Sequence, residues 1–122
     1  MRRRVAIART IVSSPSLMLY DSPTGGLDPV TSYAINVLIA KLRDVQHVTS
    51  VVVTQHLQDA YELANYVFST EKQTLVPFPQ GGPATSRPPT RFLMLRDGEV
   101  YFHGDEQEFT RSPDPYIRKF LA

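Results

Sequence analysis

Four apolar residues that run directly into an aspartate and a tight turn constrain the fold of this chain most. Residues 17–20 read Leu-Met-Leu-Tyr, Asp21 follows, and residues 22–28 read Ser-Pro-Thr-Gly-Gly-Leu-Asp. A short continuous apolar run is typical of a strand that is buried on both faces of a parallel sheet. The Gly-rich segment after it predicts a turn. The sequence therefore predicts an α/β fold with a carboxylate at the end of an internal strand.

A helix and a second strand complete this pattern. Asp28 and Pro29 favour a helix start, with Asp as the N-cap and Pro at the first helical position. Residues 49–54 are rich in β-branched side chains without polar alternation, which indicates a second internal parallel strand. Two strands joined by a helix form a βαβ unit. On the helix, the spacing predicts this buried face: Val30, Ala34, Val37, Leu38 and Leu42.

The flanking segments predict further elements. Residues 1–13 favour a helix with Val5, Ala8 and Ile11 or Val12 on its apolar face and its arginines in solvent. A second short helix is expected over residues 57–65. Residues 72–90 hold many Pro and Gly residues and predict a mobile surface insertion within the single domain 1–122. Asp97-Gly98 between two apolar runs predicts a C-terminal β-hairpin, followed by short helices.

Composition excludes several classes of protein. The 122 residues suit one domain, and the net charge of +1 gives no sign of a nucleic-acid binder. The chain has no Cys, which removes disulfides and thiol chemistry. Its apolar runs are much shorter than the roughly 18 residues of a membrane-spanning helix.

The chain resembles the second half of the ATP-binding subunits of ABC transporters. In that family four apolar residues, Asp-Glu-Pro and a small-residue turn ending in Leu-Asp form the Walker B strand and the D-loop. The family's signature motif leads into a helix ending in Arg-Val-Ala-Ile-Ala-Arg, which residues 4–9 repeat. The resemblance covers residues 1–68 and 91–122. It implies a partial P-loop NTPase-like fold, and residues 112–121 are similar to subunits of the lipid-trafficking, or toluene-tolerance, branch.

Other motifs of the family are absent from these 122 residues. The sequence has no Gly-x-x-x-x-Gly-Lys-Ser/Thr loop to hold phosphates, and the Ser-Gly-Gly of the signature is missing. We therefore expect the chain to be a fragment or a decayed copy of a longer subunit, with Met1 as an internal or mis-called start, rather than a purpose-built small protein. The family hydrolyses ATP, but this chain alone is expected to be inactive.

The resemblance assigns two positions at the end of the first strand. Asp21 stands where the family's carboxylate binds Mg²⁺ through its hydration shell, a role that suits an ion that keeps most of its waters. Ser22 occupies the position of the catalytic Glu, and a hydroxyl cannot accept the proton of the attacking water at pH 7. A complete subunit is therefore expected to bind ATP better than it hydrolyses it.

The resemblance also covers the switch region and the D-loop. Aligning Thr54 and Leu57 with the family's Val-Thr-His-Asp-Leu puts Gln55 at the His position and His56 one residue later. The contact to the γ-phosphate is then made by an amide or from a shifted backbone; alternatively, His56 only begins a helix. In the D-loop the family's residues cross a dimer interface, and the matching positions are Gly26, Leu27 and Asp28, the last of which is also expected to cap the next helix.

The implied ligands are ATP and Mg²⁺, bound by the full-length parent. The implied partners are a second ATP-binding subunit and a transmembrane permease, on the cytosolic face of the inner or plasma membrane, with no nucleic acid. Two other hypotheses remain open. One is a non-enzymatic, degenerate cassette that regulates a partner subunit. The other is the ATPase head of a DNA-repair or chromosome protein, which the absence of coiled-coil heptads disfavours.

Overall fold

A parallel pair of strands joined by a helix forms the centre of the fold. The computed structural model describes residues 2–78 and 89–121. Its elements in order are α1 (Arg2–Ile11), β1 (Leu17–Asp21), α2 (Pro29–Val45), β2 (Thr49–Val53), α3 (Leu57–Asn65), β3 (Tyr66–Ser69), β4 (Thr74–Pro77), β5 (Phe92–Arg96), β6 (Glu99–Gly104), α4 (Glu106–Thr110) and α5 (Pro115–Leu121). Strands β1 and β2 run parallel, with Leu17 opposite Thr49 and Asp21 opposite Val53. The predicted α/β class and βαβ unit are confirmed.

The core lies between α2 and one face of this strand pair. Met18 and Tyr20 point into it from β1, and Ile35 and Ile39 from α2, each at most 6% exposed. The opposite face of the pair is open in the described part of the chain, since Leu19 is 74% exposed. Burial alternates along β1, which is the pattern of a strand covered on one side, so the burial on both faces predicted from the apolar residues 17–20 was wrong for the described part of the chain.

The buried faces of α1 and α2 differ from the predicted ones. On α2, Val30 is 80% exposed, whereas Ile35 and Asn36 are fully buried. On α1 the buried residue is Ile7, and Val12, beyond the helix end, is 84% exposed. Leu42 is buried as predicted, and Val37, Leu38 and Ile11 are partly buried against the core. The prediction was wrong for Val30 and Val5, because apolar side chains occur on more than one face of each helix and spacing alone did not select the buried one.

An antiparallel hairpin that the sequence did not predict follows α3. Strand β3 pairs with β4, with Tyr66 opposite Pro77. Arg43 holds this hairpin to α2 by donating from Nη2 to the Tyr66 carbonyl at 2.9 Å, while Asp44 accepts from the Phe68 amide at 2.9 Å. The first part of the predicted insertion therefore contains a strand. Residues 79–88, the rest of that segment up to Pro88, lie outside the described residues.

The predicted C-terminal hairpin is confirmed. Strand β5 pairs with β6, and Asp97 and Gly98 at the turn both have positive φ, 53° and 77°. Positive φ at both central residues is what a type I′ turn requires. The Phe109 ring of α4 is buried and lies 5.4 Å, centroid to centroid, from that of Phe92 on β5.

A tyrosine–aspartate contact attaches α5 to this hairpin. The Tyr101 hydroxyl donates to Asp114 Oδ2 at 2.6 Å, and Asp114 Oδ1 accepts from the Tyr116 amide at 2.8 Å. The Tyr101 bond lowers the pKa of Asp114 and raises the pKa of Tyr101. The guanidinium of Arg96 lies 4.0 Å from the centroid of the Tyr116 ring and supports the same arrangement.

These two pKa shifts predict a pH window for stability. The contact stabilises the folded chain fully above the usual Asp pKa of 3.8, and this stabilisation is lost as the pH falls through the lowered pKa of Asp114. On the alkaline side, it contributes below the usual Tyr pKa of 10.0 and is lost as the pH rises through the raised value. Tyr101→Phe is therefore expected to lower Tm at pH 7 and to have a progressively smaller effect as the pH falls through the lowered pKa of Asp114, measured by circular dichroism. A Tm difference that stays constant from neutral to acid pH would contradict this.

Candidate functional site at the carboxyl edge of the parallel strands

The candidate site lies where β1 and β2 end. Asp21 is the last residue of β1 and pairs with Val53, the last residue of β2. Because the strands are parallel, Ser22 and Thr54 leave the sheet at the same edge. In open α/β sheets, ligands bind in the crevice outside the carboxyl ends of the strands. The structure thus brings the two predicted segments, 21–28 and 54–57, to one edge.

Asp21 is exposed at this edge. Within residues 2–78 and 89–121, no three His, Cys, Asp or Glu side chains converge to hold a metal ion. The donor set, a single accessible carboxylate, fits Mg²⁺, which retains several waters and takes one or two carboxylates together with substrate phosphates.

Ser22 has an unusual backbone conformation. Its φ is +46°, in the left-handed region that residues other than glycine rarely adopt. Its amide donates to the Val53 carbonyl at 2.8 Å, so the chain turns sharply while still bonded to β2. The side chain is half-buried and offers a hydroxyl, which positions water by hydrogen bonding and provides no base at neutral pH.

Gln55 and His56 are both exposed and lie directly before α3. We use the term switch segment for residues 54–57. In this segment the His56 amide donates to Thr54 Oγ1 at 3.0 Å, which fixes the backbone. His56 is the N-cap residue of α3, and its side chain makes no cap bond. Its helix-starting position is confirmed, and its imidazole stays available at the edge of the sheet.

The D-loop positions form a turn after β1 and the N-terminal cap of α2. Gly26 has a φ of +74°, which only glycine adopts at little cost. Leu27 packs against the hydrophobic core, and Asp28 accepts from the Thr31 amide at 3.1 Å and from the Thr31 hydroxyl at 2.6 Å. The Thr31 hydroxyl is the main cause of a lowered pKa at Asp28. The predicted N-cap is confirmed.

Arg3 binds this loop from α1, which the sequence did not predict. Its Nη1 donates to the Ser22 carbonyl at 3.1 Å and to the Pro23 carbonyl at 2.7 Å. The expectation that all the N-terminal arginines lie in solvent was therefore wrong for Arg3. The spacing placed Arg3 off the apolar face of the helix, and it gives no information about carbonyl acceptors 19 and 20 residues away.

A buried polar network behind the loop was also missed. Thr24 is 2% exposed and donates its hydroxyl to Asp59 on α3, which is 8% exposed. Asn36 on α2 is fully buried and donates to Asp59 Oδ1 at 2.9 Å and to Glu62 Oε2 at 3.1 Å. One signal in the sequence was usable: Asp59 lies four residues before Leu63, so both share the buried face of α3.

The helices of the described residues include none that is both long and apolar enough to cross a membrane.

Comparison with known proteins shows what this chain is similar to. No family model matches the chain. The chain is 29% identical over 121 residues to the intermembrane phospholipid transport system ATP-binding protein MlaF of Escherichia coli K12, a match that covers 99% of this chain and 36% of that protein.

Two further relatives extend this result. The protein TRIGALACTOSYLDIACYLGLYCEROL 3, chloroplastic, of Arabidopsis thaliana is 30% identical over 133 residues, covering 100% of this chain and 33% of that protein. The phosphate import ATP-binding protein PstB of Spiroplasma kunkelii is 36% identical over 87 residues, covering 71% and 32%. The chain thus spans about a third of the length of the curated relatives it matches. Its mixed α/β architecture fits the P-loop NTPase-like fold of these ATPases. Together with the strand, turn and switch segments at one sheet edge, these matches show that the chain is homologous to about a third of the length of ABC transporter ATP-binding proteins.

Proposed function

We propose that the chain forms the magnesium-binding and hydrolysis-controlling part of an ATP-binding subunit of an ABC transporter, with ATP and Mg²⁺ as its ligands. The observation that carries this proposal is the exposed carboxylate of Asp21 at the carboxyl edge of a parallel strand pair. The names of the relatives, which are ATP-binding proteins of transport systems, support it.

Each polar group at the edge has a role in this proposal. Asp21 holds the hydration shell of Mg²⁺, which supplies charge stabilisation to phosphates when bound. Ser22 orients a water without deprotonating it. Gln55 donates a hydrogen bond to a phosphate oxygen, and His56 lies beside it as a second polar contact. We expect tight binding and slow hydrolysis.

The D-loop and the partners follow from the same proposal. Gly26, Leu27 and Asp28 contact a second ATP-binding subunit across a dimer interface. A transmembrane permease is the further partner, and the subunit sits peripherally on the cytosolic face of the membrane. The match to a phospholipid transport protein supports assignment of the subunit to the lipid-trafficking branch, as does the similarity of residues 112–121 to subunits of that branch.

A second candidate is a non-enzymatic cassette that regulates a complete partner subunit. The observation that favours it is Ser22 in place of a general base. A third hypothesis, the head of a DNA-repair or chromosome protein, gains no support from the relatives, whose names describe transport of phospholipid or import of phosphate.

A chimera tests the main proposal. In it, this chain replaces the matched 121-residue segment of the E. coli phospholipid transport ATP-binding protein, and nucleotide affinity is measured by titration calorimetry with and without Mg²⁺. Asp21→Asn is expected to weaken Mg²⁺-dependent ATP binding by about 10- to 100-fold, the usual cost of losing a partner of metal-bound water. Glu71→Gln, at an exposed turn residue, removes the same charge and is expected to have no effect.

Equal affinities for the two folded variants would overturn the assignment of Asp21. If the chimera folds, binds no ATP and still associates with the intact E. coli protein, the regulatory candidate takes the place of the main one.

A further inference from the structure

A buried carboxylate connects the two segments that meet at the sheet edge. We use the term post-strand loop for residues 22–28. Thr24 is the buried hydroxyl of this loop, and its partner is the carboxylate of Asp59 on α3. Inside the loop, the Gly25 amide donates to the Ser22 carbonyl and the Leu27 amide to the Thr24 carbonyl, both at 3.1 Å. Thr24 is therefore the point where the fold of the loop is tied to α3.

The second oxygen of Asp59 is also occupied. Asn36 donates its amide to Asp59 Oδ1 at 2.9 Å and to Glu62 Oε2 at 3.1 Å. Both acceptors are carboxylate oxygens, so the amide nitrogen must face them, and this sets the orientation of Asn36. A buried carboxylate is costly unless its oxygens accept hydrogen bonds. Both oxygens of Asp59 accept these hydrogen bonds only when the loop, α2 and α3 are in their observed arrangement.

Asp59 is also bonded to the switch segment. Its amide donates to the His56 carbonyl at 3.1 Å, in the first turn of α3. The path from Thr24 through Asp59 to His56 therefore contains two hydrogen bonds and one residue. It joins the loop that bears Ser22 to the segment that bears Gln55 and His56.

We propose that Thr24, Asp59 and Asn36 are positioning residues, which fix the conformation of the post-strand loop relative to the switch segment. This inference deepens the proposed function and rests on it for the purpose of the loop. The conformational effect itself belongs to this chain and requires no nucleotide. Hydrogen bonds to a carboxylate belong to the stronger class, and each of the two Asp59 oxygens accepts one, from Thr24 and from Asn36, which favours a single arrangement of these side chains.

Amide hydrogen exchange of the 122-residue chain, followed by NMR, tests the effect on the loop. Thr24→Val keeps the shape of the side chain and removes the hydroxyl, whereas Thr24→Ser keeps the hydroxyl. Thr24→Val is expected to speed exchange at the Gly25 and Leu27 amides about tenfold or more, because local opening of the loop loses one bond to a charged group. Thr24→Ser is expected to restore protection.

A matched core variant separates positioning from general stability. Ile39→Val loses a buried methyl group on α2 and is expected to affect exchange of the whole core without a selective change in the loop. The proposal is overturned if Thr24→Val and Thr24→Ser exchange alike at Gly25 and Leu27, or if Ile39→Val produces the same selective acceleration. Where Thr24→Val does not fold, Asp59→Asn, which keeps the shape of the carboxylate, takes its place and is held to the same comparison.

A kinetic measurement on the chimera distinguishes failure of this inference from failure of the proposed function. With Ser22→Glu as background, Thr24→Val is expected to lower kcat and leave KM for ATP within about twofold, since it acts on alignment and does not touch nucleotide. Absence of any turnover in that background counts against the proposed function, while the exchange result decides the inference. A rise in KM with unchanged kcat would contradict positioning.

Discussion

In the chimera, Ser22→Glu is expected to raise ATP turnover by about 10²- to 10⁴-fold, the usual contribution of a positioned general base. The carboxylate would stand directly after Asp21 and accept the proton of the attacking water, which the hydroxyl cannot do. Ser22 lies at a φ of +46°, and serine and glutamate both carry a Cβ, so the exchange adds little new backbone strain. Steady-state phosphate release measures the effect.

Ser22→Gln is the control for this gain. Glutamine has nearly the same size and hydrogen-bonding reach as glutamate and lacks its basicity, so its turnover is expected to stay near that of Ser22. If glutamine and glutamate accelerate equally, water positioning rather than proton transfer limits the reaction. If neither accelerates, another group supplies the base.

Ile35→Ala is expected to lower the free energy of unfolding of the 122-residue chain by about 2–5 kcal/mol, the range for truncating a buried isoleucine. Ile35 is 1% exposed and lies in the core between α2 and the strand pair. Because small domains have a net stability of only about 5–15 kcal/mol, a loss of this size removes a large part of it. Urea unfolding followed by circular dichroism gives the value.

Val30→Ala on the same helix is the matched control. Val30 is 80% exposed, so its truncation is expected to change stability by less than about 0.5 kcal/mol. The periodicity of the sequence predicted Val30 on the buried face. Equal losses for the two variants would support that prediction against the arrangement described above.

Local patterns predicted the central elements correctly. The apolar run at residues 17–20 and the β-branched run at residues 49–54 became β1 and β2, and Asp28 caps α2 through Thr31. The pair Asp97 and Gly98 turns the last hairpin. Each of these features depends on residues close together in sequence, so a single chain contains the information.

Contacts between distant residues explain what the sequence did not reveal. Thr24 and Asp59 are 35 residues apart, and Arg3 reaches carbonyls 19 and 20 residues away. Helical spacing puts Asp59 on the same face as Leu63, but a polar side chain is expected at the surface as long as its partner is unknown. Strand β4 escaped prediction because it lies in a segment rich in proline and glycine.

The candidate site shows the same division. The resemblance to a known family assigned Asp21, Ser22 and Gln55 to the site, and the structure brings their segments to one edge. Their chemical roles remain proposals for the variants above to test. The side chains that hydrogen-bond around the site, such as Arg3 and Asp59, were identified only from the structure.

The two hydrogen bonds from Arg3 to the Ser22 and Pro23 carbonyls connect α1 directly to the sheet edge. A displacement of this helix would therefore either break these hydrogen bonds or move the turn beside Asp21 with it. Carbonyl acceptors have no net charge, and dissolved ions screen such a linkage far less than they screen an exposed ion pair. The hydrogen bonds from Arg3 are therefore expected to persist at high ionic strength.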